Sequence, residues 1–255
     1  MSNFTLRATV GVTVVAAGML AASASFAEMR LHGAVTLARL VVEPNKARIE
    51  QSVGDTLTLI TNGSGNGLKD LVAGKADVAM IAAPLQLEAT ILNSLEPGSF
   101  DASTLRVFPA GMTKLQCIVN PTNPINGLSE AQARDIFAGK LTNWSQVGGA
   151  DQPIIVVIEK PLNGTRAFLQ ASLLQGGEFA SQARIAQALG QVTQVVSQSP
   201  TAIGYGNGAS IEPDKVKIVA GFSVAQPMAL VIRGAPTPAQ QKLISTVGEV
   251  AVAGK

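Results

Sequence analysis

An α/β fold in two lobes is predicted by three features of this 255-residue chain. Short apolar, β-branched runs alternate with helical periodicities, which argues for strand–helix layers and mainly parallel sheets. Hydrophobic residues make up 47% and charged residues 14%, enough apolar surface for packed cores. The segment Ala110–Leu115 and the glycine-rich stretch Gly204–Gly208 punctuate the alternation where a second lobe would begin and end, and Pro121, Asn123 and Pro124 make a rigid turn just inside it.

In chain order, the first segment is an export signal. Arg7 is the only charge before Glu28; an uncharged run Ala8–Leu20 follows, then small residues ending Ser25-Phe26-Ala27. The run is shorter than the roughly 20 residues that span a bilayer. Residues 1–27 are therefore expected to be a cleaved signal peptide, and the chain to work in the bacterial periplasm.

Strands are expected at Met29–His32, Leu57–Thr61, Val78–Ile81, Leu105–Ala110, Leu115–Asn120, Ile154–Ile158, Ala202–Tyr205, Val216–Val219 and Met228–Ile232. Helices are expected around Leu37–Val53, Leu68–Gly74, Leu85–Asn93, Ser129–Phe137, Arg166–Leu174, Ala180–Val196 and Pro238–Val252. Ser129 with Gln132 three residues on makes a capping box, and Ala133, Ile136 and Phe137 share one face. With crossings at Ala110–Leu115 and after Tyr205, lobe 1 would hold residues 28–112 and 206–255, and lobe 2 residues 113–205. A cleft between such lobes is a common place for a small-molecule site.

Composition removes several functions. Nineteen basic against 17 acidic residues, and only 4% aromatics, disfavour a nucleic-acid partner. One Cys and one His leave no disulfide, no multi-Cys or two-His metal motif, and a single His for any base. Cys117 sits in an apolar run and reads as core. His32 reads as structural or solvated, and Trp144 as packed beside the capped helix.

Three turns follow a strand and open a helix: Gly33-Ala34-Val35-Thr36, Asn62-Gly63-Ser64-Gly65-Asn66-Gly67 and Leu162-Asn163-Gly164-Thr165-Arg166. Helix-start amides lack internal partners and sit at the positive end of the helix dipole, so several facing one cleft can hold an oxyanion. Singly, a Ser, Thr or Asn at a helix start is more often an ordinary cap. Thr36, Ser64, Gly65, Asn163, Gly164 and Thr165 are the candidate ligand contacts. Ser64 as a hydrolase nucleophile is disfavoured because position 62 is Asn where an elbow needs Gly.

The run Asn120-Pro121-Thr122-Asn123-Pro124, then Leu128-Ser129-Glu130 through Trp144 to Val147-Gly148-Gly149, resembles the second-lobe signature of PstS-like phosphate-binding proteins. Gly63–Gly67, Ala73–Val78, Ala83-Pro84-Leu85, Asn163–Arg166 and Ala202–Tyr205 are similar to further family segments in the same order. The resemblance implies a type II periplasmic-binding-protein architecture with two crossing connections that closes over its ligand. It implies a non-enzymatic, monomeric receptor without cofactor or metal that passes a small phosphate-like anion to an ABC transporter permease. It also exposes departures. Val35 replaces a hydroxyl, Ala82 replaces an Asp, and Glu159 stands where the family has Arg, which adds repulsion unless Lys160 or Arg166 compensates. Two readings follow: weak or retuned anion capture, or a scaffold that has lost its ligand and serves in sensing or interaction.

Overall fold

The computed structural model describes Met1 and residues 28–253, so the signal-peptide reading lies outside the described residues. Strand β1 (Glu28–Gly33) leads into a helical path made of α1 (Val35–Leu37), a π-helical segment Ala38–Val42, a 3-10 turn Glu43–Asn45 and α2 (Lys46–Val53). Pro44 in the 3-10 turn explains the change of helix type, since its ring cannot sit in a regular α-helical interior. Then come β2 (Thr56–Ile60), α3 (Ser64–Val72), β3 (Val78–Ile81), α4 (Leu85–Leu95) and the long β4 (Leu105–Val119). The second half carries α5 (Glu130–Phe137), β5 (Ile155–Glu159), α6 (Gly164–Ser172), β6 (Arg184–Ala186), α7 (Leu189–Gln198) and β7 (Ala202–Gly206). A second long strand, β8 (Lys217–Arg233), and α8 (Pro238–Ala253) complete the chain.

All eight strands form one sheet, in the order β2-β1-β3-β8-β4-β7-β5-β6. The outer trios, β2-β1-β3 and β7-β5-β6, are parallel, whereas the junctions β3–β8, β8–β4 and β4–β7 are antiparallel. The α/β class read from the sequence is therefore observed, with an antiparallel centre that the alternation did not announce.

Two pairs of expected strands are each one continuous strand. Leu105–Ala110 and Leu115–Asn120 merge in β4, and Val216–Val219 and Met228–Ile232 merge in β8. Gly111 and Lys114 read as a break because a glycine and a charge interrupt the apolar pattern. Here β4 and β8 pair with each other, Met112 opposite Pro227 and Leu115 opposite Val224, with a register shift between Pro109 and Met112. The expected helix Ala180–Val196 is instead split, with β6 pairing beside β5 before α7 begins.

The cores divide along these two strands. Leu115, Cys117, Val119, Phe137, Trp144, Ile203, Tyr205, Val219 and Phe222 pack together. Leu31, Leu37, Val78, Ala110, Met228, Leu230 and Val247 form another core. Gly206, in the glycine-rich stretch Gly204–Gly208, ends β7 and pairs with Gln116, and Val216, Val219 and Phe222 beyond it pack in cores of the second half. The α5 capping box forms as predicted, with the Gln132 amide donating to Ser129 Oγ at 3.1 Å and the Ser129 amide to Gln132 Oε1 at 2.8 Å. Trp144 is buried and donates Nε1–H to the Thr201 carbonyl, and burial pushes the Cys117 thiol up to about 12. Among the described residues no helix is long and apolar enough to cross a membrane.

Candidate functional site

The ends of parallel strands place four helix starts around one cavity of about 200 Å³. From the first half come Ala34, Val35 and Thr36 after β1, Thr61–Ser64 after β2, and Ala82 after β3. From the second come Glu159–Lys160 after β5, Asn163–Thr165 opening α6, and Gln187–Ala188 opening α7. Arg39 also lines it. Openings of this kind at the carboxyl ends of parallel strands are where α/β sheets place ligands. Spacing could not show that the three predicted turns converge; the sheet order does, and it adds α7 as a fourth.

Local packing explains each turn. Gly33 adopts φ +131°, and a Cβ there would press into the Met80 carbonyl, so only glycine lets the chain leave β1 so close to β3. The Ala34 amide donates to that same carbonyl at 2.8 Å and pins the start of α1. The Gly63 amide donates to the Gly33 carbonyl at 3.0 Å, tying the first two turns together.

Of the six candidate residues, Thr36, Ser64, Asn163, Gly164 and Thr165 line the cavity. Gly65 does not: its amide donates to the Leu162 carbonyl at 3.1 Å, a contact that joins the two halves of the chain. Leu162 presents that carbonyl from a left-handed conformation, φ 69°, which a β-carbon disfavours by roughly 1–2 kcal/mol.

The hydroxyls are held by a buried amide network. Gln226 Nε2 donates to Thr165 Oγ1 at 3.0 Å and to the Ala82 carbonyl at 2.8 Å. Gln226 Oε1 accepts from Asn207 Nδ2 at 2.8 Å, and that amide also reaches Thr36 Oγ1 at 3.2 Å. Ser64 Oγ accepts from the Ala82 amide at 3.2 Å. Each hydroxyl oxygen thus receives a donor, which leaves its own proton to be given elsewhere. Asn207 and Gln226 are both fully buried and were missed from the sequence. Gln226 is visible there only as a polar break in the apolar run Val224–Val231.

Two acidic groups give the site its electrostatics. Glu159 is 3% exposed; its Oε1 accepts from Asn163 Nδ2 at 3.0 Å, and its backbone amide donates to the Tyr205 hydroxyl at 3.0 Å. Burial pushes its carboxyl up to about 7 despite Tyr205, Asn163, Arg166 and the Leu189 amide. Arg166 donates to the Glu159 backbone carbonyl at 3.0 Å and lies 5.2 Å over the Phe179 ring, so it does not ion-pair with the carboxylate. Glu88 on α4, 1% exposed, abuts Ser64 and Gly164, and burial pushes it up to about 8, tempered by Ser64. It shares the buried face of α4 with Leu85 and Leu92. A charged residue at that helical spacing on an apolar face was the signal for it.

His32 is buried rather than solvated, and its Nδ1 lies 2.8 Å from Asp70 Oδ2. The same oxygen accepts from Asn62 Nδ2 at 2.9 Å, which orients Asn62 at the cavity wall. Burial raises the Asp70 carboxyl, but the His32 and Asn62 hydrogen bonds outweigh it and hold it below the usual range. Among the described residues, no group of three His, Cys, Asp or Glu is placed to hold a metal ion.

A family model for the PBP superfamily domain matches residues 33–251. Phosphate-binding protein PstS of Bacillus subtilis is 26% identical over 188 residues, 74% of this chain and 59% of that protein. The chain thus spans less than two thirds of that relative's length. A candidate phosphate ABC transporter substrate-binding protein from Clostridium perfringens, solved with bound phosphate, superposes with a TM-score of 0.75 at 21% identity, covering 89% of this chain and 96% of that one. An ABC-type phosphate transport receptor from Vibrio cholerae gives 0.64 at 23% identity, covering 87% and 93%.

Proposed function

We propose a function from this premise: the chain belongs to the PBP superfamily. It is an exported solute-binding protein that captures a small oxyanion, phosphate or a related anion, between two lobes and presents it to an ABC transporter permease. The observation that carries this reading is the convergence of four helix starts and three amide-anchored hydroxyls, Thr36, Ser64 and Thr165, on one cavity reached from both halves of the sheet. Hydroxyl and amide donors at helix starts stabilise an anion with little formal positive charge. Phosphate is the first candidate because the similar proteins named above are described as binding or transporting it.

In this reading the lobes divide within β4 and β8, near Gly111 and Pro227; a register shift between Pro109 and Met112, the φ of +106° at Gly111 and the missing amide proton of Pro227 support that choice. Lobe 2 then extends through Phe222 rather than stopping near Tyr205. Periplasmic location and a monomeric state complete the proposal.

Ligand-induced stabilisation tests it. An anion present at 100 times its dissociation constant should raise unfolding free energy by about 2.7 kcal/mol. A screen of phosphate, sulfate, arsenate and small carboxylates that produces no shift in melting temperature would refute capture.

A further inference from the structure

Three buried side-chain polar atoms among the described residues have no hydrogen-bond partner: Asn62 Oδ1, Glu88 Oε1 and Glu159 Oε2. Asn62 and Glu159 line the cavity, and Glu88 touches Ser64 and Gly164 at its edge. All three atoms are acceptors. The Asn62 assignment is fixed by chemistry, because the atom facing the Asp70 carboxylate must be the donating nitrogen. A buried acceptor left without a donor costs roughly 1–3 kcal/mol. Unmet acceptors thus sit in the walls of a cavity that is also rich in hydroxyls.

Glu159 is the acidic group among these that lines the cavity itself, and among the described residues it forms no salt bridge, Arg166 acting on it only at a distance. Arg166 from α6 is engaged with the backbone carbonyl and the Phe179 ring. Tyr205 from β7 receives the Glu159 amide, and the Leu189 amide approaches from α7. Lys160 and Arg39 line the cavity without a salt bridge to Glu159. An anion placed beside an ionised Glu159 would put two like charges together out of water, and such pairs keep one proton between them.

We infer that this site holds its oxyanion with one proton shared between Glu159 Oε2 and a ligand oxygen, so that an anion with no proton of its own is captured only together with a proton from solvent. The inference rests on the anion-capture reading and makes Glu159 a specificity-determining residue within it. With a protonated oxyanion the ligand O–H donates to Glu159. With a fully ionised one the Glu159 O–H donates to the ligand.

Sulfate is the probe, because it carries no titrating proton near neutrality. Calorimetric titration of the purified protein between pH 6 and pH 9 should show sulfate affinity falling as pH rises, approaching tenfold per unit above about pH 7, where burial places the free carboxyl. Titrations in two buffers of different ionisation enthalpy should show uptake approaching one proton per sulfate on the alkaline side, a readout that needs no variant. Glu159→Gln, whose side-chain amide donates without titrating, should remove the slope, and Glu88→Gln should keep it. Sulfate binding whose affinity does not change with pH overturns the inference while leaving anion capture intact. A slope lost in Glu88→Gln but kept in Glu159→Gln also overturns it. Absence of both sulfate and phosphate binding at every pH overturns the anion-capture reading, and the inference with it.

Discussion

Gln226 donates to Thr165 Oγ1 at 3.0 Å from a strand that both halves of the sheet share, and Thr165 opens the helix α6 of the second half. The other proton of the same amide goes to the Ala82 carbonyl, beyond β3 in the first half. One fully buried side chain thus sets a hydroxyl from one half against a backbone turn from the other. The cavity between them depends on this tie.

Gln226→Leu removes both donors and the acceptor for Asn207 while keeping the volume. It strands the Ala82 carbonyl and one Asn207 proton in the interior. Chemical denaturation should report a loss of about 2 kcal/mol, with anion affinity falling as well.

Gly164 has no room for a side chain, since a Cβ would enter the contact radius of both Ser64 Oγ and Glu88 Oε1. Those atoms belong to the other half, so the conflict lies where the two halves meet. Gly164→Ala should leave secondary structure by circular dichroism unchanged and weaken anion binding by tenfold or more, equivalent to about 1.4 kcal/mol.

Stability should fall as the solution becomes more alkaline. Glu88 is raised from an ordinary 4.5 to about 8, and Glu159 to about 7. A carboxyl raised on folding binds more protons in the native than in the unfolded state between those values. Its contribution is complete below pH 4.5 and lost as pH rises through the folded value. Urea denaturation across pH 5 to 8 should show a declining unfolding free energy, and Glu88→Gln should flatten part of the decline.

Ser64→Ala leaves the Ala82 amide without its 3.2 Å acceptor and removes one hydroxyl from the cavity. Anion affinity should fall roughly tenfold, in line with about 1–1.5 kcal/mol for one hydrogen bond. Its contribution to binding is read by calorimetry.

Most of the parallel strands and most helices were legible from local pattern: the fully apolar run Val78–Ile81 lies at its predicted bounds and α5 carries its predicted cap, whereas the three-residue β6, exposed at Arg184 and Ile185, read as helix. The long strands were not. Gly111, Lys114 and Pro227 interrupt the apolar pattern, and what makes them strand is pairing between segments more than a hundred residues apart. At the site, five candidate residues line the cavity because strand–turn–helix grammar places them at sheet ends. Gly65 looked equivalent, but its amide is consumed by Leu162, about a hundred residues away in the chain. Glu88, Asn207 and Gln226 were illegible as site residues because their role lies in long-range packing: Glu88 and Gln226 are polar residues on an otherwise apolar face or run, and Asn207 lies in a glycine-flanked turn.

Calorimetric titration of the purified protein with inorganic phosphate tests the central claim most directly. Saturable binding of one phosphate per chain, weakened at least tenfold in a Thr36→Val, Thr165→Val double variant that remains folded, is the predicted result. Binding of equal strength in that variant would contradict the claim that these hydroxyls, gathered from opposite halves of the sheet, hold the anion.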